Sequence, residues 1–195
     1  MEQTTRERIM ETSLQLFLER GFKGTTTRMI ASCAGVNELT VFRNFGTKEG
    51  ILKAVIQSKQ EYLEKVGAAV LKTMKYDPAE DLKAMARLYF DRLLENINLV
   101  MLQLHAVDMD PEINQMILQL PIRLKAFLVE YFEELKNRNH SKNIDPELAA
   151  TLFMSINIGF LLLNNRFQDH FTTVDGHDFI EKSMKALTDS LMREG

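Results

Sequence analysis

Thr27-Arg28-Met29-Ile30-Ala31-Ser32-Cys33-Ala34-Gly35-Val36-Asn37-Glu38-Leu39-Thr40-Val41 reads as two short helical runs separated by a glycine, and its spacing decides the fold. Two helices that cross steeply over a tight turn need a small residue where their backbones approach, and Ala31 supplies it. Four residues on, Gly35 tolerates the positive φ that such a turn demands. Val41, six residues further, is the apolar side chain that packs the second helix back, and Ile30 and Val36 complete a small core. The pattern predicts a helix-turn-helix with helices over 27–34 and 37–45.

The flanking sequence supports the same unit. Ile9, Ser13, Leu16 and Phe17 recur at helical spacing and define the packing face of a first helix over 5–20, with Gly21 as its C-terminal glycine. Thr25, Thr26 and Thr27 place hydroxyls where the next helix needs an N-cap. Gly46-Thr47 interrupts the chain again, and Thr47 can cap a fourth helix from Lys48. Residues 1–47 are therefore expected to form a head and residues 48–195 a larger helical body. In the body we expect helices over 48–75, 79–97, 98–105, 111–119, 122–137, 146–167 and 176–192. Three Asp-Pro pairs, Asp77-Pro78, Asp110-Pro111 and Asp145-Pro146, mark helix starts, because a capping carboxylate is followed by a proline suited to the first turn.

Composition agrees with an all-α chain. Its 9 Gly and 4 Pro, against 11 Met and 12 Phe, provide few turns for strands. The single cysteine, Cys33, excludes an internal disulfide and a cysteine-based zinc site and suits a reducing cytoplasm. The polar N-terminus is not a secretory signal. The longest apolar run, 148–163, falls short of the ~20 residues that span a bilayer. It also contains Thr151, Ser155, Asn157 and Gly159, so a buried helix explains it better.

No catalytic constellation emerges. His105, His140, His170 and His177 lack metal-ligand spacing with carboxylates, and no nucleophilic triad or phosphate-binding glycine loop is present. Adjacent acids such as Glu133-Glu134 read as a solvated face. We expect neither an enzyme nor a bound cofactor or metal.

From Ile9 to Val55 the chain resembles the TetR family of transcriptional regulators. The resemblance rests on Leu16-Phe17, Gly21-Phe22, Thr25 to Ala31, Ala34-Gly35-Val36 and the run Thr40-Val41-Phe42-Arg43-Asn44-Phe45-Gly46-Thr47-Lys48-Glu49. It covers about a quarter of the chain and implies a homodimer that binds palindromic operator DNA and releases it on binding a small molecule, most often as a repressor. The chain departs from the family pattern at Phe42, where tyrosine is usual, at Asn44, where histidine is usual, and at Glu38-Leu39, where Lys-Gly is common.

The chemistry of the head follows from its residues. Thr26 or Thr27 should offer a hydroxyl and a backbone amide to a phosphate. Lys48 should neutralise another, while Arg28 and Arg43 suit phosphate or guanine. Asn37, Glu38, Leu39 and Thr40 occupy the first turns of the recognition helix, where base edges are read; an acid can accept from cytosine N4 and a leucine can meet a thymine methyl. Phe42 lacks a hydroxyl for phosphate, whereas Asn44 can still donate. Residues 1–50 carry seven Lys/Arg and six Asp/Glu in a chain of net charge −3, so affinity must come from a few placed contacts rather than a strong basic field.

For the body, the resemblance implies a pocket for a small apolar or amphipathic effector. Candidate lining residues are Phe90, Leu94, Met101, Leu104, Met116, Leu120, Phe127 and Tyr131, with His105 and Asn157 as polar groups that orient the guest. The helix over 146–167 is apolar nearly all round and must be covered nearly all round. We expect it to pair, with the last helix, against a second copy through Leu152, Ser155, Ile156, Gly159, Leu163, Ile180, Met184, Leu187 and Leu191. Two alternatives stay open: a helical homodimeric interaction protein that keeps the head without operator-specific binding, and a redox sensor built on Cys33.

Overall fold

The computed structural model describes residues 4–71, 73–104, 111–138, 145–167, 170 and 172–191. Every extended regular element among them is α-helical: α1 (Thr5–Gly24), α2 (Thr27–Cys33), α3 (Glu38–Phe45), α4 (Lys48–Leu71), α5 (Pro78–Glu95), α6 (Ile97–Leu104), α7 (Pro111–Asn137), α8 (Pro146–Phe167) and α9 (Gly176–Leu191). The chain divides by packing into two compact units, Met1–Gly67 with Ile97–Leu120 and Ala68–Asn96 with Pro121–Gly195.

The first unit is built on the apolar stripe of α1. Ile9, Ser13, Leu16 and Phe17, the expected packing face, are all buried. They join Ile30, Ala31, Ala34, Val41, Ile51, Leu52 and Ile56 in one cluster, with Val36, Phe22, Phe45 and Met116 packed at its margin. Thr4 and Glu7 form a capping box at the start of α1. At its other end Gly21 has φ 71°, as a helix-ending glycine should, and one further turn follows it. α6 packs against α1.

In the second unit α5 packs on α9 and α8, which also pack on each other. Leu82, Met85, Ala86 and Phe90 of α5 meet a core that includes Phe153 and Phe160 of α8 and Ile180 and Met184 of α9. The second half of α7 contributes Leu128, Tyr131, Phe132 and Leu135. The Asp-Pro starts behave as capping chemistry dictates: Asp77 Oδ1 accepts from Ala79 N at 3.0 Å and Asp145 Oδ1 from Glu147 N at 3.0 Å. Asp110 lies outside the described residues.

One expectation needs correction. The helices expected over 111–119 and 122–137 are one helix, α7, with Pro121 inside it. A proline forfeits one backbone bond, yet α7 continues through it. The helix expected over 146–167 is present as α8, whose 22 residues are long and apolar enough by length and composition to cross a membrane. Its Ala149, Ala150, Phe153, Asn157, Phe160 and Leu161 are nevertheless buried within the unit, which makes it a core helix with one uncovered face.

Candidate nucleic-acid interface

The turn between α2 and α3 is a Schellman motif. Val36 N donates to Ala31 O at 3.0 Å and Gly35 N to Ser32 O at 3.3 Å, with Gly35 at φ 64°. That geometry sets the crossing of the two helices, and Val41, 1% exposed, holds α3 against the core. Each helix start is capped by its own side chain. Thr26 Oγ1 accepts from Met29 N at 3.2 Å, and Asn37 Oδ1 accepts from both Thr40 N and Thr40 Oγ1.

Most polar groups expected to meet DNA have partners inside the head. Thr27 Oγ1 donates to Glu38 Oε1 at 2.6 Å, tying the first residue of α2 to the first of α3. Asn44 Nδ2 donates to Thr40 O at 2.8 Å. Lys48 Nζ donates to Phe22 O at 2.5 Å and Thr25 O at 2.8 Å and lies 4.3 Å from the centre of the Phe22 ring. Arg28 and Arg43, in contrast, are exposed cations with no partner among the described residues. On α3 the side opposite Val41 presents Leu39, 53% exposed, and Phe42, 64% exposed.

Three cations share one structural task that the sequence did not reveal. Arg6 Nη1 donates to Asn44 O at the end of α3, Arg8 Nε to Ala34 O at the end of α2, and Lys48 to Phe22 O at the end of α1. A positive charge on terminal helix carbonyls is favourable because those carbonyls lack helical partners and carry the negative end of the helix dipole. Arg6 also sits over the Phe45 ring. Thr25 was likewise missed: it is buried, and its hydroxyl donates to Leu16 O and Gly21 O, fastening the end of α1. Its position in a run of three threonines gave no sign of which one turns inward. Cys33 is exposed.

The residues proposed for an effector belong to both units. In the first, Met101 is half-buried and Met116 packs on the head cluster; the side chains of Leu104 and Leu120, and all of His105, lie outside the described residues. In the second, Phe90 is buried against Phe160 and His177, and Phe127 is half-buried. Tyr131 donates its hydroxyl to the buried Asp81 carboxylate at 3.1 Å. Asn157 is fully buried: its Nδ2 donates to Phe153 O at 2.8 Å, while its Oδ1 has no hydrogen-bond partner among the described residues. Leu94 is a correction, because it is 44% exposed instead of lining an interior. The α5 stripe that turns inward runs through Leu82, Met85, Ala86, Phe90 and Leu93.

The face expected to meet a second copy divides similarly. Leu152 and Leu163 are each 40% exposed, Ser155 is exposed, and Ile156 and Gly159 are partly exposed. Leu148 extends this α8 stripe, and a Cβ built on Gly159 would meet nothing within 4 Å among the described residues. Ile180, Met184 and Leu187 are core instead, with exposures of 0%, 1% and 7%. The amphipathic α9 has one strongly apolar stripe, and packing within the unit consumes it. Leu191 is half-buried at the helix end.

Residues 9–55 match the family model described as bacterial regulatory proteins, tetR family. The chain is similar to an uncharacterised HTH-type transcriptional regulator, YvkB, of Bacillus subtilis, 24% identical over 179 residues that cover 92% of this chain and 93% of the relative. Its fold is similar to that of a Clostridium perfringens protein provisionally described as a fatty acid metabolism regulator, with TM-score 0.79, 20% identity and coverage of 96% and 100%. It is also similar to AibR, solved with isovaleryl coenzyme A and operator DNA, with TM-score 0.69, 19% identity and coverage of 97% and 98%.

Proposed function

We propose that this chain, which belongs to the TetR family of regulatory proteins, is a cytoplasmic repressor that binds a near-palindromic operator as a homodimer and releases it on binding a small apolar or amphipathic effector. The observation that carries the reading is α3. Its inner side is pinned by Val41, its start is fixed by Asn37, and its outer side is left to Leu39, Phe42 and Arg43. A helix held so firmly by one face and so uncovered on the other suits insertion into a major groove.

The second copy supplies the symmetry. The α8 stripe of Leu148, Leu152, Ser155, Gly159 and Leu163 is apolar or small and uncovered, and Gly159 permits close approach. On α9 the adjoining partner face is then Ser183, Ala186 and Ser190, which recur at helical spacing beside the buried stripe, while Phe179 stacks on Phe160 within the unit. A two-fold axis through such a face sets two recognition helices against two half-sites.

An effector acts by binding more tightly to the form whose heads are wrongly spaced, and by linkage DNA must weaken effector binding by the same factor. The isovaleryl coenzyme A held by AibR is an amphipathic precedent for this fold. The test is selection from a randomised duplex library with purified protein, refolded to strip trapped ligand. Enrichment of an inverted repeat, lost in Arg28→Ala plus Arg43→Ala, supports the reading. Absence of any enriched motif would favour an interaction protein that retains the head.

A further inference from the structure

The polar side chains at the start of α3 are largely committed before any partner arrives. Glu38 accepts from Thr27, the Asn37 oxygen accepts twice from Thr40, and the Asn44 amide donates to Thr40 O. An eight-residue helix thus turns two large apolar side chains outward, Leu39 at 53% and Phe42 at 64% exposure. Positions three apart on a helix are neighbours, so the two form one apolar patch, and Arg43 stands four residues from Leu39 on the same side. Arg28 on α2 adds a second uncommitted cation.

An apolar patch beside unpaired cations fits a surface that is anionic at its edges and carries isolated apolar groups within. The major groove of DNA is such a surface, with phosphates at the rim and thymine 5-methyl groups on its floor. We infer that Leu39 and Phe42 read thymine methyl groups, and that methyl contact, rather than hydrogen bonding by Glu38 to cytosine, carries the sequence preference of the α3 face. The inference rests on the operator-binding reading above and specifies what that operator presents. Arg43 and Arg28 hold the patch in place through the phosphates or a flanking guanine.

The experiment replaces thymine by uracil at single positions of the selected operator, which removes a methyl group and leaves base pairing intact. Full-length protein should bind about fourfold more weakly for each methyl read, and about fifteen-fold more weakly when symmetric positions in both half-sites are changed. Leu39→Ala should be indifferent to uracil at the position Leu39 reads, and Phe42→Ala at its own; both side chains are exposed, so both variants should melt like the parent. Equal affinity for thymine and uracil at every position, with discrimination against unrelated duplexes retained, would overturn the inference and leave operator binding standing. Failure to select any duplex would remove both.

Discussion

Gly50, in the first turn of α4, lies directly against the carbonyl group of Phe45, the last residue of α3. A Cβ added at Gly50 would overlap the Phe45 carbonyl oxygen and approach its carbon to 3.2 Å. The obstacle is backbone, which cannot rotate away. Gly50 N also donates to Thr47 Oγ1 at 3.0 Å, so the glycine is held by the cap it completes.

Gly50→Ala should therefore destabilise the head by about 1–3 kcal/mol, as overpacking does, and weaken operator binding with it. Gly46→Ala is the comparison: Gly46 has φ 71° but open space around it, so its cost is conformational, about 1–2 kcal/mol. Thermal unfolding of both variants measures the difference. A Gly50→Ala protein as stable as its parent would show that the two helices can separate freely.

Lys48 and Arg43 should respond oppositely to removal. Lys48→Met loses charge-assisted hydrogen bonds to Phe22 O and Thr25 O and should cost about 1–3 kcal/mol of stability. The salt dependence of operator binding should stay unchanged. Arg43→Ala should alter stability by no more than about 0.5 kcal/mol and reduce the salt slope by about two, one for each subunit of the dimer. Titrations of both variants at several salt concentrations check this, and a reduced slope for Lys48→Met would return it to the phosphate contacts.

Alkaline pH should act on the second unit. Burial pushes the hydroxyls of Tyr89 and Tyr131 above the ordinary phenol range, and the Asp81 carboxylate adds to the effect at Tyr131. The folded state therefore holds these protons more tightly than the unfolded chain. Their contribution is whole below pH ~10 and is lost above it, at about 1.4 kcal/mol per pH unit for each tyrosine. Tyr131→Phe should remove one proton from that slope. At neutral pH it should cost about 1–3 kcal/mol, because the buried Asp81 loses a donor and keeps Lys75 N. Urea unfolding between pH 8 and 11 reads both effects.

Association should separate from folding on α8. Leu152→Glu plus Leu163→Glu places charges on an exposed face and should yield a folded monomer by sedimentation. Ile180→Glu puts a charge into the core and should unfold the protein instead. A double variant that remains dimeric would locate the two-fold axis elsewhere.

The local rules of the head were legible in the sequence because its signals are short-range. Ala31, Gly35 and Val41 sit within one turn-and-helix unit, and the face of Ile9, Ser13, Leu16 and Phe17 follows directly from helical periodicity. Sequence by itself also determined the all-α class and the Asp77 and Asp145 starts, since a cap involves only residues a few positions apart. It did not determine which cations stay free. Lys48 reads as a phosphate contact in the sequence, yet it reaches carbonyls 23 and 26 residues away, and Arg6 and Arg8 are committed in the same manner to carbonyls 38 and 26 residues away. Nor did it show which stripe of α9 is consumed internally, or that α7 continues through Pro121. Those outcomes depend on how distant segments compete for the same surfaces, and only the tertiary structure decides that competition.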